Sequence, residues 1–152
     1  MLDASAAVEL VLQTPRAERI AARALHPAER LHAPHLIDVE VAQVMRRLVQ
    51  AKEITAARAD VALLDFEGLV IERHAHRPLF RRVWGLRASL SAYDATYVAL
   101  AEALAAPMLT CDDKLGRAPG IKPRSRSCRS IHKTSWGTGD DPAGRCIRAR
   151  SE

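Results

Sequence analysis

Four carboxylates stand where acids can be made to work together. Asp3 follows the first apolar residues, Glu40 lies on a long helical stretch, Asp94 falls in the first turn of a later helix, and Asp112 follows a short apolar run. Each has an ordinary alternative. Asp3 suits a turn, Asp94 suits a capping box with Ser91, and Asp112 or its neighbour Asp113 suits the turn into Lys114-Leu115. Glu40 is the hardest to explain that way. Its helix neighbours are Leu36, Ile37, Gln43 and Val44, so no cation lies one turn away to form a helix-surface ion pair. If the four converge, any two carboxylates about 5 Å apart repel by about 3 kcal/mol at an effective dielectric of about 20. A divalent cation removes that cost. All-oxygen ligands favour Mg²⁺ or Mn²⁺ over zinc, and carboxylate-held Mg²⁺ keeps waters and takes substrate phosphate as a further ligand. The chemistry that follows is phosphodiester hydrolysis.

The elements that must position these acids are legible in the apolar periodicity. Met1-Leu2-Asp3 is a strand fragment at most, and Ser5 is placed to cap a helix reaching Gln13. Pro15 opens a second helical segment through Ile20 and Leu25, and Leu31-His32-Ala33-Pro34 reads as a short strand. From Leu36 to about Lys52, Val41, Val44, Met45 and Leu48 fall at i, i+3, i+4 and i+7 of one helix face. Thr55 starts a helix carrying Ala57, Val61 and Leu64 that stops at Gly68, and Leu69-Val70-Ile71 reads as a strand. Arg77 to Arg87 predicts a helix with Leu79, Val83 and Leu86 inward, broken near Gly85. Ser91 to Ala105 predicts a packed helix on Tyr93, Tyr97, Leu100 and Leu104. After Pro107, Met108-Leu109-Thr110-Cys111 suits a buried strand that delivers Asp112 at its C-terminal end, where open parallel sheets place their chemistry. Short strands alternating with helices imply an α/β three-layer domain around a short parallel sheet.

Composition limits the classes that remain. A chain of 152 residues with 48% hydrophobic content builds one core, and with only 4% aromatics that core must be mostly Ala, Leu and Val. No run approaches the roughly 18 apolar residues of a membrane span, and a cytoplasmic location is expected. Three cysteines, Cys111, Cys128 and Cys146, disfavour a disulfide framework, and Cys128, His132 and Cys146 match no usual zinc spacing. The net charge of +5 is unevenly held: residues 1–113 carry 13 Lys/Arg against 15 Asp/Glu, whereas residues 114–152 carry 10 against 3. Basicity therefore belongs to the tail, and residues 121–152, rich in Ser, Arg, Gly and Thr, read as an atypical, irregular extension to a domain spanning residues 1–120.

Four stretches together resemble the successive motifs of PIN-domain nucleases, with the greatest similarity to the toxins of VapBC toxin–antitoxin pairs. They are Leu2 to Ala6, Pro34 through Glu40 to Val44, Leu90 to Ala95 with Tyr97 to Ala101, and Leu109 to Asp112. The resemblance covers about residues 1–120. It implies that Asp3, Glu40, Asp94 and Asp112 are the metal-binding and catalytic acids, with Ser5 and Thr110 as supporting hydroxyls. Asp113 stands where many relatives carry another residue, which leaves an outer acid or a surface charge as its readings. The implied activity is a Mg²⁺- or Mn²⁺-dependent endoribonuclease toxin, a homodimer held inactive by a cognate antitoxin protein. Relatives have a few more residues before the first acid and close with a strand soon after the Gly120 position, where Lys122-Pro123-Arg124-Ser125 offers none; a frameshifted or replaced C-terminus is one reading. Two other functions compete. One is a catalytically impaired domain that only binds RNA or a partner. The other is a phosphoacceptor signalling module, which would need its acidic pair after the first strand and an acceptor Asp after a middle one, whereas Leu69-Val70-Ile71 leads to Glu72-Arg73.

Overall fold

The computed structural model describes residues 1–27, 29–112 and 115. Six α-helices and two strands of more than one residue are formed within them: α1 (Ala4–Val11), α2 (Ala17–Ala24), β1 (Leu31–Pro34), α3 (Leu36–Gln50), α4 (Ala56–Glu67), β2 (Ile71–His74), α5 (Phe80–Gly85) and α6 (Ala92–Ala103). β1 and β2 pair in parallel, Leu31 opposite Ile71 and Pro34 opposite His74. α3 and α4 supply the crossover that parallel pairing demands. The N-terminal segment extends the sheet: Leu2 N–H donates to the His32 carbonyl at 2.8 Å, and Leu2 bridges Leu109 in parallel. The expected strands at Met1–Asp3 and Met108–Cys111 are thus present as a single parallel bridge, because each contributes only a few residues before a helix or turn takes over. Asp3 N–H donates to the Leu109 carbonyl at 3.1 Å, which fixes the first acid beside the segment that leads to Asp112.

The helices form where periodicity places them, and their ends show how. Thr55 and Ser91 each accept a backbone N–H from the residue three positions on, Arg58 and Asp94, and so cap α4 and α6. α1, α3 and α6 terminate without glycine: Gln13, Lys52 and Ala105 take left-handed φ values of 53°, 59° and 48°. The next N–H in each case returns to a carbonyl five residues back, as in Ala106 to Ala101 at 3.0 Å. Gly68 ends α4 as expected, but at φ −70°, so its conformation does not require glycine.

Three expectations are corrected. The strand predicted at Leu69–Ile71 lies instead at Ile71–His74, because Leu69 N–H is still used in the turn off α4, donating to Phe66, and Val70 is 92% exposed. α4 buries Ala59, Ala62 and Phe66, leaving Val61 and Leu64 exposed. The Arg77–Arg87 helix is two pieces, a 3₁₀ turn over Arg77–Leu79 followed by α5, with Leu79 and Leu86 buried and Val83 only partly so.

The core is small-residue rich, as the composition requires. α6 is buried without interruption from Ala95 to Ala101, while Tyr93 and Leu104 at its ends are exposed. Ala95, Ala99 and Ala101 let neighbouring backbone approach, and Tyr97, at 1% exposure, is the largest side chain fully enclosed. α6 packs on β1 and α5, whereas α3 packs on β1, α1 and α4. Two groups of helices therefore meet the sheet, and among the described residues no helix is long and apolar enough to cross a membrane.

Candidate active site

Asp3 is the most deeply set of the acids. It follows Leu2 directly and N-caps α1 in extended conformation, with 7% exposure. Its Oδ2 accepts from Ser5 Oγ at 2.5 Å and from Thr110 Oγ1 at 2.8 Å, and the two hydroxyl oxygens lie 3.3 Å apart. These hydroxyls also hold the opposite strand end: Cys111 N–H donates to Ser5 Oγ at 2.9 Å and Asp112 N–H to Thr110 Oγ1 at 3.0 Å. The short hydroxyl chain therefore couples the first acid to the backbone that presents the last one. Burial raises the Asp3 pKa above the ordinary carboxylate value, and the hydrogen bonds from Ser5 and Thr110 only partly offset it.

Glu40 sits in the second turn of α3, which β1 feeds through Pro34 and His35. Tyr97 on α6 donates its phenolic O–H to Glu40 Oε2 at 2.5 Å, joining helices from the two groups. Desolvation raises the Glu40 pKa first. The Tyr97 hydrogen bond opposes this, and the charges of Asp3 and Asp94 add to it. The Tyr97 hydroxyl, buried and bound to a carboxylate, is held far above its usual value and acts only as a donor. Sequence reading places Tyr97 on a core stripe and misses this role, since a partner 57 residues away leaves no local signal.

Asp94 is half-buried in the first turn of α6. Its Oδ2 accepts from Ser91 Oγ at 2.8 Å while its N–H donates to the same oxygen at 3.1 Å, so the capping alternative is realised in part. Its charge is also among the influences that raise the Glu40 pKa, after burial and the charge of Asp3, so Asp94 lies within electrostatic reach of Glu40. Asp112 is exposed, just beyond the Met108–Thr110 segment. No three of the four acids have oxygens all within 4.8 Å of one another, so the cluster is looser than a closed metal cage. Asp113 and residues 121–152, with Cys128, His132 and Cys146, lie outside the described residues.

These observations test whether a divalent cation fits. Asp3 and Asp94 act on a partly desolvated Glu40, and among the described residues no ion pair engages Asp3, Glu40 or Asp94. All their near partners are hydroxyls or backbone N–H groups. The donor set is all oxygen and net negative, and it suits a hard cation that retains water. The nearby arginines do not neutralise it: Arg82 is held by Glu102 at 2.6 and 2.9 Å, and Arg87 lies over the Trp84 ring at 4.9 Å.

Residues 1–121 match the PIN domain family. This chain belongs to the PIN-domain family. It is 45% identical over 115 residues to ribonuclease VapC9 of Mycobacterium tuberculosis, covering 76% of this chain and 87% of that protein. Ribonuclease VapC1 of the same organism is 41% identical over 122 residues, 80% of this chain and 91% of the relative. Ribonuclease VapC12 is 39% identical over 120 residues, 79% and 92% respectively. In this PIN domain the short parallel sheet and flanking helices join Asp3 to Ser5 and Thr110, and Glu40 to Tyr97, by hydrogen bonds.

The Tyr97–Glu40 contact carries a prediction of its own. Tyr97→Phe keeps the ring in the core and removes only the hydroxyl that orients Glu40, and loss of such an outer partner typically costs about 10–100-fold in metal affinity or activity. A divalent-metal titration of nuclease activity should shift to higher concentration by about tenfold. An unchanged titration would mean that Glu40 needs no orientation.

Proposed function

We propose that this PIN domain is a metal-dependent endoribonuclease, the toxin component of a type II toxin–antitoxin pair. The observation that carries this is Glu40, a half-buried acid whose proton affinity is raised by desolvation and by the charges of Asp3 and Asp94, beside a buried Asp3, with no cation among the described residues paired to either. The similarity to ribonucleases named VapC gives the substrate class. Asp3, Glu40, Asp94 and Asp112 would hold the ion, Mg²⁺ or Mn²⁺. When bound, the ion supplies a nucleophilic water at neutral pH and charge stabilisation for the leaving oxygen. The chain's own residues set the rest. Ser5 and Thr110 hold Asp3 to one rotamer, and Tyr97 fixes Glu40. The raised proton affinity of Glu40 suits it to take a proton from an attacking water, and that of Asp3 disfavours its charged form until a cation arrives.

Attack by water on phosphorus with the 3′-oxygen as the leaving group breaks the O3′–P bond and leaves 5′-phosphate and 3′-hydroxyl ends, whereas attack by the ribose 2′-hydroxyl forms a cyclic 2′,3′-phosphate. Cleaved RNA from the purified chain should carry those ends, and chelation should stop the reaction with recovery on added Mg²⁺. Cyclic 2′,3′-phosphate ends formed in the presence of chelator would contradict the reading.

The partners follow from the exposed surface. Val39 on α3 and Val61 and Leu64 on α4 are uncovered apolar side chains on the helices beside the acids, and an amphipathic antitoxin helix fits such a face. Phe80, Trp84 and Tyr93, exposed on α5 and the start of α6, suit homodimer contact. Helices on the two faces of the short parallel sheet would make a three-layer domain, a reading supported by the packing of both α3 and α6 on β1, and the location is the cytoplasm, where RNA is met.

The nuclease unit is assigned to residues 1–120. Residues 114–152 carry 10 Lys/Arg against 3 Asp/Glu, so the segment after Gly120 adds sequence-independent attraction for phosphates. A chain truncated after Gly120 should keep its Mn²⁺-dependent melting shift while binding RNA more weakly and with a shallower salt dependence. Loss of the cooperative melt would place the domain boundary further on.

A further inference from the structure

We propose that His32, Glu72 and His74 form a second metal site on the β1–β2 pair, specific for a borderline divalent transition-metal ion such as Zn²⁺ and separate from the carboxylate centre. His32 Nδ1 lies 3.1 Å from His74 Nε2 and 3.4 Å from Glu72 Oε2, and His74 Nε2 lies 3.7 Å from Glu72 Oε1. Among the described residues this is the one group of three such side chains whose ligand atoms lie within 4.8 Å of one another. The register makes it: His32 is opposite Glu72, and Pro34 is opposite His74. Alternate residues of two parallel strands project from the same sheet face, so all three side chains share it.

The two imidazole nitrogens lie at hydrogen-bond distance from each other, whereas neither is that close to the Glu72 carboxylate. An N–H···O bond brings the heavy atoms to about 2.7–3.2 Å, and both imidazole–carboxylate distances exceed that. Ligands about 2.0–2.1 Å from a tetrahedral ion are separated by about 3.3 Å, close to the mean of the three observed spacings. The imidazole rings are tilted by 40° with centroids 5.3 Å apart, so they do not stack face to face. The adjacent cation does not compete, because Arg73 belongs to the alternate face and is bound to Asp38 at 2.8 Å. Two imidazoles and one carboxylate are the ligand types of zinc sites with an open position. The Glu72 side chain is 58% exposed, which leaves that position to water.

The ion would clamp β1 to β2. β1 leads directly into α3, so the clamp lies upstream of Glu40 without touching it.

The experiment uses the full chain with Mg²⁺ in excess, which keeps the carboxylate centre supplied with its own ion. Zn²⁺ is titrated calorimetrically and by imidazole NMR. The expected result is one tight equivalent that moves the His32 and His74 resonances more than those of His26 and His35. Affinity should fall at least about tenfold in Glu72→Gln, whose exposed side chain leaves folding intact, and further in His74→Ala. A variant with Cys128→Ser, His132→Ala and Cys146→Ser should retain the tight equivalent. The proposal is overturned if wild type shows no stoichiometric Zn²⁺ binding, if the His32 and His74 signals move no more than the other histidines, or if binding disappears with the tail substitutions while surviving Glu72→Gln. RNA cleavage dependent on Mg²⁺ should persist in Glu72→Gln, so failure of this site and failure of the nuclease reading give different results.

Discussion

Asp94→Asn is expected to lower RNA cleavage by about 10³-fold while leaving the protein folded, a loss corresponding to about 4 kcal/mol of transition-state stabilisation. The geometry is what allows activity and folding to be separated here. Ser91 Oγ accepts the Asp94 backbone N–H, and that bond does not depend on the side chain. The bond from Ser91 Oγ to Asp94 Oδ2 can be accepted equally by an asparagine carbonyl oxygen. What the substitution removes is one negative charge within electrostatic reach of Glu40. Ser91→Ala should have the complementary effect: loss of the cap costs about 1 kcal/mol of stability, with cleavage at saturating Mg²⁺ little changed. Paired activity assays and melts on the two variants separate the roles. If Asp94→Asn retains cleavage, Asp94 is only a capping residue, and the ion is held by the other acids.

Asp94 marks how far sequence carries the candidate site. Ser91 and Asp94 at a three-residue spacing announce a helix start, and the structure forms it. The same spacing is silent on whether the carboxylate also comes within electrostatic reach of Glu40, which depends on how α6 is set against α3. Asp3, Ser5 and Thr110 are selected by the motif resemblance, and the structure joins the three by hydrogen bonds beside the Leu2–Leu109 bridge. Tyr97 was legible as core and illegible as a donor, since an apolar ring and a polar tip give the same period. The misplaced second strand has a similar cause. Leu69-Val70-Ile71 is the most apolar triplet there, but Gly68 leaves Leu69 still turning and Val70 in solvent, so pairing begins at Ile71. Its polar residues survive because Arg73 pairs with Asp38 and Glu72 stands with His32 and His74. The helix ends expected at Gln13, about Lys52 and Ala105 lie close to those formed, but the left-handed turn taken at each has no signal in the sequence, as none of the three is glycine.

Asp3→Asn is expected to make the metal-free protein more stable at neutral pH and to abolish most of its stabilisation by Mn²⁺. In the folded state burial raises the Asp3 pKa, so the neutral form is favoured relative to the unfolded chain, whose value is the ordinary one. Below that ordinary value Asp3 is protonated in both states and costs nothing. As pH rises, the unfolded chain ionises first, the folded state binds more protons than the unfolded, and stability falls until the folded carboxyl has also ionised. Asparagine is neutral throughout. The melting temperatures of wild type and Asp3→Asn should therefore converge in acid and separate as pH rises above the ordinary carboxylate range. At pH 7 the variant should melt roughly 2–4 °C higher, the shift that about 1 kcal/mol makes in a domain of this size. The hydroxyls of Ser5 and Thr110 can rotate to accept from the new amide, so no buried polar group is stranded. Mn²⁺ reverses the order. An ion present at about 100 times its dissociation constant adds about 2.7 kcal/mol to wild type, while the variant, short of one buried charge, gains much less. Melts at several pH values, with and without Mn²⁺, decide the matter. A wild type that already melts above the variant at pH 7 without metal would mean that hydrogen bonding to the Asp3 carboxylate outweighs its burial. The acid would then be a structural cap of α1 instead of a charge waiting for its ion.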